Sequence, residues 1–440
     1  MTRIVGPSEA AQPIRNASRG IRNGYSGVRS AGVASVNLRH LHTFGEVARL
    51  GSVSAAARAV HTSQPAVTQA VAGVERYFGA SLLIRSNAGV ALTAAGELCA
   101  RRIERSISHL RDAVAELTRG SSRNFDFDAT RLMRSAHLHA LSAVVEHRNF
   151  SLAARARHMS QPSVHRAARE LERLIGVPLF EKTSFGITPT REAEKLARRA
   201  RLAFAEIAQA RAEVHALSGG ESGRTVIGAM PLARSFLVPT ALLEFTQQYP
   251  EHSVAIVEGT YEHLLASLRS GEADFLIGAL RSPAPVADVV QEHLFDDPLA
   301  IIVRARHPLL ERKRITVAAL SKYPWIVPRA GTPLRQHLHE MFATAGLPAP
   351  TRAIECNSLI AARALLLESD RIMLLSAHQI HYELEAGVLV ALPHPAGDVD
   401  RPIGLTMRHD WHPTDSQRVL LDIVRRCSAE AARLHERHAR

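Results

Sequence analysis

Residues 41–97 and 138–194 align at a constant offset of 97 with no gap, and about 20 of the 57 paired positions are identical. The densest block sets Ser54, Ala56, Ala57, Arg58, Ala59, His61, Ser63, Gln64, Pro65 and Val67 against Ser151, Ala153, Ala154, Arg155, Ala156, His158, Ser160, Gln161, Pro162 and Val164. Glu75, Arg76, Gly79 and Leu82 then match Glu172, Arg173, Gly176 and Leu179. Agreement of this density is the mark of an internal repeat, so one small fold must serve both segments.

The local signals within each copy define that fold. Apolar residues at Leu38, Leu41, Phe44, Val47 and Ala48 predict a helix over about 38–50. Ser54 is the expected cap of a second, short helix, where Ala56 and Ala57 allow close helix approach. Ser63-Gln64-Pro65 and Ser160-Gln161-Pro162 open a third helix, with Pro where a missing N–H costs nothing. Its buried stripe is Val67, Ala70, Val71 and Val74 in one copy and Val164, Ala167, Ala168 and Leu171 in the other. Gly79 and Gly176 stop it, and a hairpin follows, turning near Gly89 and Gly186. Three helices and a hairpin describe a winged helix-turn-helix, whose third helix is sized for the major groove of DNA.

The groove-facing candidates are Gln64, Thr68 and Gln69 in the first copy and Gln161, His165 and Arg166 in the second. Glutamine can read adenine and arginine can read guanine, each through two hydrogen bonds, so the copies should prefer different bases. Arg85 and Lys182, on the wings, would meet phosphates. The competing readings are a solvated helix face for any one residue and a helical bundle without DNA for the set. Charge favours DNA. Of 54 basic and 42 acidic residues, the first 36 positions hold five Arg and one Glu, 37–120 ten basic and six acidic, and 121–220 sixteen and ten. Residues 221–440 hold 23 and 25, so the excess of +12 lies entirely in the first half, as a polyanion partner requires.

The stretches GSVSAAARAVHTSQPAVTQAVAGVERYFGASLLIR (51–85) and RNFSLAARARHMSQPSVHRAARELERLIGVPLFEK (148–182) resemble the LysR-type DNA-binding domain. The second keeps Leu171-Glu172, Gly176 and Leu179-Phe180, with Lys182 where Arg is usual and His165 where Ser or Thr is usual. The first keeps Thr68, Arg85 and Leu92-Thr93, with Val74 and Leu83 in place of Leu and Phe. Amphipathic stretches follow each wing, at about 93–119 (Leu98, Ile103, Ile107, Leu110, Val114, Leu117) and 189–217 (Leu196, Ala200, Ala203, Phe204, Ile207, Ala210, Val214, Leu217). Such faces need a partner. The resemblance implies pairing between subunits; with two such helices in one chain, pairing within the chain is expected.

After Ser218–Gly223, a flexible hinge, short strands such as Thr225–Ala229 and Leu299–Val303 alternate with helices such as 233–248, which indicates βαβ units and a parallel sheet. The markers FLVPTALLEFTQQYP, LRSGEADFLIG, RARHPL and LLLESDRIMLL resemble the LysR-type effector-binding domain. That resemblance implies two α/β lobes like those of periplasmic binding proteins, with a ligand in the cleft. The expected chain is therefore multi-domain. A disordered basic tail covers 1–36, and winged helix-turn-helix domains cover 37–97 and 135–194. Linker helices cover 98–120 and 195–218. An effector domain covers 224–436, with one lobe at about 224–298 and 400–436 and the other at 299–399.

Strand ends and helix starts give the effector candidates: Met230, Leu232, Ser235, Thr260, Arg329, Thr332, Asn357 and Ser358. Plain N-capping is an equal reading for Ser235, Thr260, Thr332 and Ser358. Arg329 or Arg335 could hold a carboxylate, and the effector class expected is a sugar or an aromatic or other organic acid. No catalytic, metal or cofactor constellation stands out. His40/His42 and His137/His139 point apart on a helix, and Cys99, Cys356 and Cys427 have no metal or redox spacing, which suits a reducing cytoplasm. No run approaches the ~18 apolar residues of a membrane span. The expected function is ligand-responsive transcription control, not catalysis. The partners are double-stranded DNA, a small effector, further copies of the chain and, as a candidate, RNA polymerase. A ligand-independent architectural DNA-binding protein is the rival.

Overall fold

A computed structural model describes residues 36–86, 89–119, 128–183, 186–220, 223–397 and 399–438. The expected basic tail, save Val36, lies outside them. The first helical unit holds α1 (Leu38–Leu50), α2 (Val53–Ala59), α3 (Gln64–Phe78) and the hairpin β1 (Leu83–Ser86) and β2 (Gly89–Leu92), and it runs into the long α4 (Ala94–Thr118). The second repeats the order: α5 (Ser135–His147), α6 (Phe150–Ala156), α7 (Gln161–Ile175), β3 (Phe180–Thr183), β4 (Gly186–Pro189) and the long α8 (Arg191–Leu217).

The repeated residues hold the repeated geometry. Ser63 and Ser160 cap α3 and α7 through the amides of Ala66 and Ser163. Gly79 (φ +73°) and Gly176 (φ +68°) end them in the left-handed region that glycine favours. Glu75 accepts from the Leu82 N–H at 2.8 Å, and Glu172 accepts from the Leu179 N–H at 2.8 Å, which ties α3 and α7 each to the hairpin that follows. Thr93 and Thr190 cap the long helices while donating to the wing carbonyls of Ser81 and Pro178. One expectation fails: Ser54 is not the cap of the second helix. Ser52 caps α2 and Asn149 caps α6, because each helix begins two residues earlier than a cap at Ser54 or its counterpart would allow, and the cap must precede it.

The long helices pack against each other inside the chain, and both units share one apolar core with them. Ile103, Ile107, Leu110, Leu196, Ala200, Ile207 and Val214 are buried in it beside Leu41, Phe44, Leu138 and Leu141. Leu217, expected on the stripe, is 57% exposed in the last turn.

The second half holds nine strands among the described residues. In chain order they come with their helices as β5 (Arg224–Ala229), α9 (Pro231–Ser235), α10 (Leu237–Gln248), β6 (Ser253–Val257), α11 (Tyr261–Ser270), β7 (Phe275–Ala279) and β8 (Val289–Arg304). Then follow α12 (Val317–Leu320), β9 (Trp325–Val327), α13 (Pro333–Thr344), β10 (Ala353–Glu355), α14 (Leu359–Leu367) and β11 (Ile372–Ser376). The last elements are α15 (His381–Glu385), β12 (Leu389–Leu392), β13 (Asp400–Arg408) and α16 (Asp415–His438).

The strand order is β10-β9-β11-β8-β13-β7-β5-β6, with β12 also on β8. Neighbours β5/β6, β5/β7, β9/β10 and β9/β11 are parallel, but β8 and β13 pair antiparallel, so the sheet is mixed rather than parallel. The expected strand at 299–303 is the second half of the 16-residue β8, which pairs with β13 over 289–298 and with β11 and β12 beyond. One strand therefore runs through both lobes. The expected helix 233–248 divides at Phe236, whose φ of −139° is not helical.

Candidate functional site

Each reading helix presents its N-terminal residues outward. Gln64, Pro65 and Gln69 are exposed and Thr68 half-buried; in the second unit Gln161, Pro162, His165 and Arg166 are all exposed. Ser63 and Ser160 spend their hydroxyls on capping, so they set the helix start. Lys182 is exposed on β3, while the side chain of Arg85 lies outside the described ones. His61 (φ +51°) and His158 (φ +52°) take the left-handed turn that swings α3 and α7 away from the preceding helices.

The paired long helices set the relation of these two reading helices. Ser106 donates to the Ala203 carbonyl at 2.8 Å, and these two positions are partners under the offset of 97. They mark a local twofold axis, as at the contact between two copies of one surface. Arg102, 5% exposed, lies at the centre of a polar network there. It donates to Glu206 (2.8 Å), to Gln209 (2.8 Å) and to Glu213 in a bidentate pair (3.0 and 2.6 Å). Arg105 meets the other Glu206 oxygen at 2.9 Å. Burial alone would raise Glu206; the neighbouring His109, Arg105 and Arg102 outweigh it and hold the carboxyl at about 2. The sequence periodicity missed this network because Arg102, Ser106 and Glu206 read as the polar side of the helices.

The His-x-His residues divide between packing and polar contact. His42 is buried and depressed to about 4 by that burial, His139 stacks on Phe204 at 4.4 Å, and His137 pairs with Glu170 at 3.2 Å. Among the described residues no group of three or more His, Cys, Asp or Glu could hold a metal. Cys99 is buried in the helical core and its thiol is pushed up to about 12, chiefly by desolvation.

The effector candidates fall into two groups. In the second lobe the Arg329 N–H donates to Asn357 Oδ1 at 3.0 Å, and Thr332 donates to the Arg329 carbonyl while capping α13. Ser358 caps α14 at 3.3 Å, so Arg329, Thr332, Asn357 and Ser358 gather at the carboxyl ends of β9 and β10. In the first lobe the Met230 N–H donates to the Ile277 carbonyl at 3.0 Å, at the carboxyl ends of β5 and β7. Thr260 caps α11, Ser235 ends α9, and Leu232 is a core residue beside Phe295 and His378. No hydrogen bond joins the two groups among the described residues.

The lobes meet at Asp297, within β8, which is fully buried. It accepts from Arg401 (2.6 Å) and from the Ser376 hydroxyl, and pairs with His378 Nδ1 at 2.7 Å. His378 Nε2 meets the Ala431 carbonyl at 2.9 Å. Burial would lower His378, but the Asp297 carboxylate raises it above the usual imidazole range, which suits a ring with an acceptor at each nitrogen.

Comparison with known proteins follows this division. The model for "Bacterial regulatory helix-turn-helix protein, lysR family" matches residues 38–97 and again 135–194. That for "LysR substrate binding domain" matches 218–428. The chain is 35% identical over 396 residues to the HTH-type transcriptional regulator GalR of Pseudomonas putida, covering 90% of this chain and 98% of that one. It is 31% identical over 294 residues to the HTH-type transcriptional regulator PcaQ of Agrobacterium fabrum, covering 67% and 94%. A full-length OxyR variant from Pseudomonas aeruginosa shares the fold, with a TM-score of 0.50 at 23% identity over 66% of this chain and 97% of that one.

Proposed function

We propose, for a chain that belongs to the LysR family of transcriptional regulators, that one polypeptide carries a complete pair of DNA-reading units. The protein is a DNA-binding transcription regulator whose activity responds to a small-molecule effector. The observation that carries the proposal is the pairing of α4 with α8 inside the chain around the Ser106–Ala203 contact. The helix-turn-helix pattern is a duplicated domain, and 37–97 with 98–120 and 135–194 with 195–218 act as the two halves of a dimer would. The similarity to GalR supports this. It takes in 396 of 440 residues, so fewer lie outside it than one helix-turn-helix segment holds.

In this reading Gln64, Thr68 and Gln69 meet one half-site and Gln161, His165 and Arg166 the other, with Arg85 and Lys182 on phosphates. The operator is then two unlike half-sites rather than a palindrome. The lobes at 224–298 with 400–436 and at 299–399 form a periplasmic-binding-protein-like cleft. Met230 on one side and Arg329, Thr332, Asn357 and Ser358 on the other would take a sugar or an organic acid, which the exposed guanidinium of Arg329 suits. The protein acts in the cytoplasm, in keeping with its free cysteines.

The test is a footprint of the purified protein on the DNA upstream of its own gene, beside Gln64→Ala/Thr68→Ala and His165→Ala/Arg166→Ala variants. Each pair should erase a separate part of the protected stretch. Protection that depends on one pair alone would reduce the other unit to an architectural module.

A further inference from the structure

The local twofold relation between the long helices is kept at some positions and broken at others. Under the offset Arg102 corresponds to Arg199 and Glu213 to Glu116; Glu116 pairs with Lys195 at 2.8 Å and feels Arg199 only through its charge, so each helix still offers a cation and a carboxylate to the other. The relation breaks where Gln209 of α8 corresponds to Asp112 of α4. Gln209 stands at the contact with the effector-binding half. Its Oε1 accepts from Arg102 Nη1 at 2.8 Å, and its Nε2 donates to Asp274 Oδ1 at 3.4 Å. Asp274 directly precedes β7, and its other oxygen accepts from the Val226 N–H of β5 at 2.8 Å. In the middle of β7, three residues beyond Asp274, the Ile277 carbonyl holds the Met230 N–H.

We propose that Gln209 is the positioning residue through which the effector-binding half sets the spacing of the two reading helices. One carboxamide ties Arg102, between the long helices, to Asp274, at the foot of the strand that seats Met230. A carboxamide suits the place because it faces a cation on one side and a carboxylate on the other, and it offers an acceptor to the first and a donor to the second from two separate atoms. The strand between Asp274 and Met230 is part of a hydrogen-bonded sheet, flanked by β5 and β13, so movement at its cleft end reaches its foot.

The broken symmetry makes the device one-sided. On the opposite face of the helix pair Asp112 is exposed and would repel a second Asp274. Gly271, which ends α11 at φ +76°, approaches Leu202 and Ala205 of α8 closely enough that a Cβ there would lie 3.0 Å from the Leu202 Cδ2. Each reading pair therefore carries one effector-binding half, docked on α8.

The proposal rests on the reading that both units touch DNA, and the test separates the two. The full chain is bound to its own upstream duplex and to the same duplex with half a helical turn inserted between the two protected parts. Wild type should lose on the order of tenfold or more in affinity for the inserted duplex, within the range of a coupling between sites. Gln209→Glu keeps an acceptor for Arg102 but sets a carboxylate against Asp274. It should bind both duplexes within a few-fold of each other and speed amide exchange in β5 and α11. Gln209→Glu/Asp274→Asn should restore both readouts, because the new amide donates to Glu and its oxygen still accepts from the Val226 N–H. A Gln209→Glu protein with wild-type discrimination and exchange overturns the proposal, as does a double variant that fails to recover. A wild type protected at one site only would sink the two-unit reading, leaving the exchange experiment to decide the junction.

Discussion

In the second reading unit Gln161 accepts from the Ser151 hydroxyl at 2.9 Å, and the His165 ring leans edge-on against Phe150 at 5.1 Å. In the first unit the corresponding positions are Gln64, an exposed Ser54, Thr68 and, in place of Phe150, the non-aromatic Val53. The backbone plan is common to both, and in the proposed reading, where these side chains face bases, the second unit holds Gln161 and His165 against its own α6 before DNA arrives. Ordering a long side chain costs free energy that a pre-fixed one has already met. The second unit should therefore supply the sharper sequence preference and the first the more tolerant one.

The comparison can be broken most severely at what the two units share. Replacing Glu206 with Ala leaves Arg102 and Arg105 without their shared carboxylate, a loss of about 3–5 kcal/mol for a buried pair. Urea unfolding should register it, and both parts of the footprint should weaken together; weakening of one part alone would mean that the units are held independently. The same residue sets an acid limit. Its carboxyl at about 2 lies below the ordinary value of 4.5, so its stabilisation is present above that ordinary value and fades as pH falls toward 2. Glu206→Gln should flatten that acid limb of the stability profile.

Next in size comes the difference in base reading. Arg166→Ala should cost about 1–3 kcal/mol at one base pair and relax discrimination there. Gln69→Ala, its counterpart, should cost less, as measured by binding to a set of single-base operator variants. Equal losses would erase the proposed asymmetry. A smaller effect sharpens it: Ser151→Ala frees Gln161 and should lose about 0.5–1.5 kcal/mol of binding, whereas Ser54→Ala should change little. The smallest is electrostatic. Lys182→Ala should weaken binding evenly across sequences and reduce the slope of log affinity against log salt by about one.

Much of this molecule was legible because its signals are local. The Ser-Gln-Pro entry, the apolar stripe of α3 and α7 and the terminal glycines each act within a few residues, and the repeat reported them twice. Ser54 misled because either of two nearby serines could cap, and the choice depends on where the helix axis starts. Only the second half of β8 reads as a strand in the sequence, because its first half carries Gln291, Glu292 and His293 in a row and is held in the sheet by pairing with β13. Leu232, expected at the cleft from its place after a strand, is buried beside Phe295 and His378, a position that the turn of α9 decides.

The sequence by itself determined that two like helical units precede an α/β half, since hydrophobic period, capping residues and repeat all act over short range. The tertiary structure alone decided which buried and half-buried polar residues matter. Arg102, Glu206, Gln209, Asp274, Asp297 and His378 lie 48 to 111 positions from their principal partners. A charge in the sequence is read as solvated until folding brings its partner close enough to make burial tolerable.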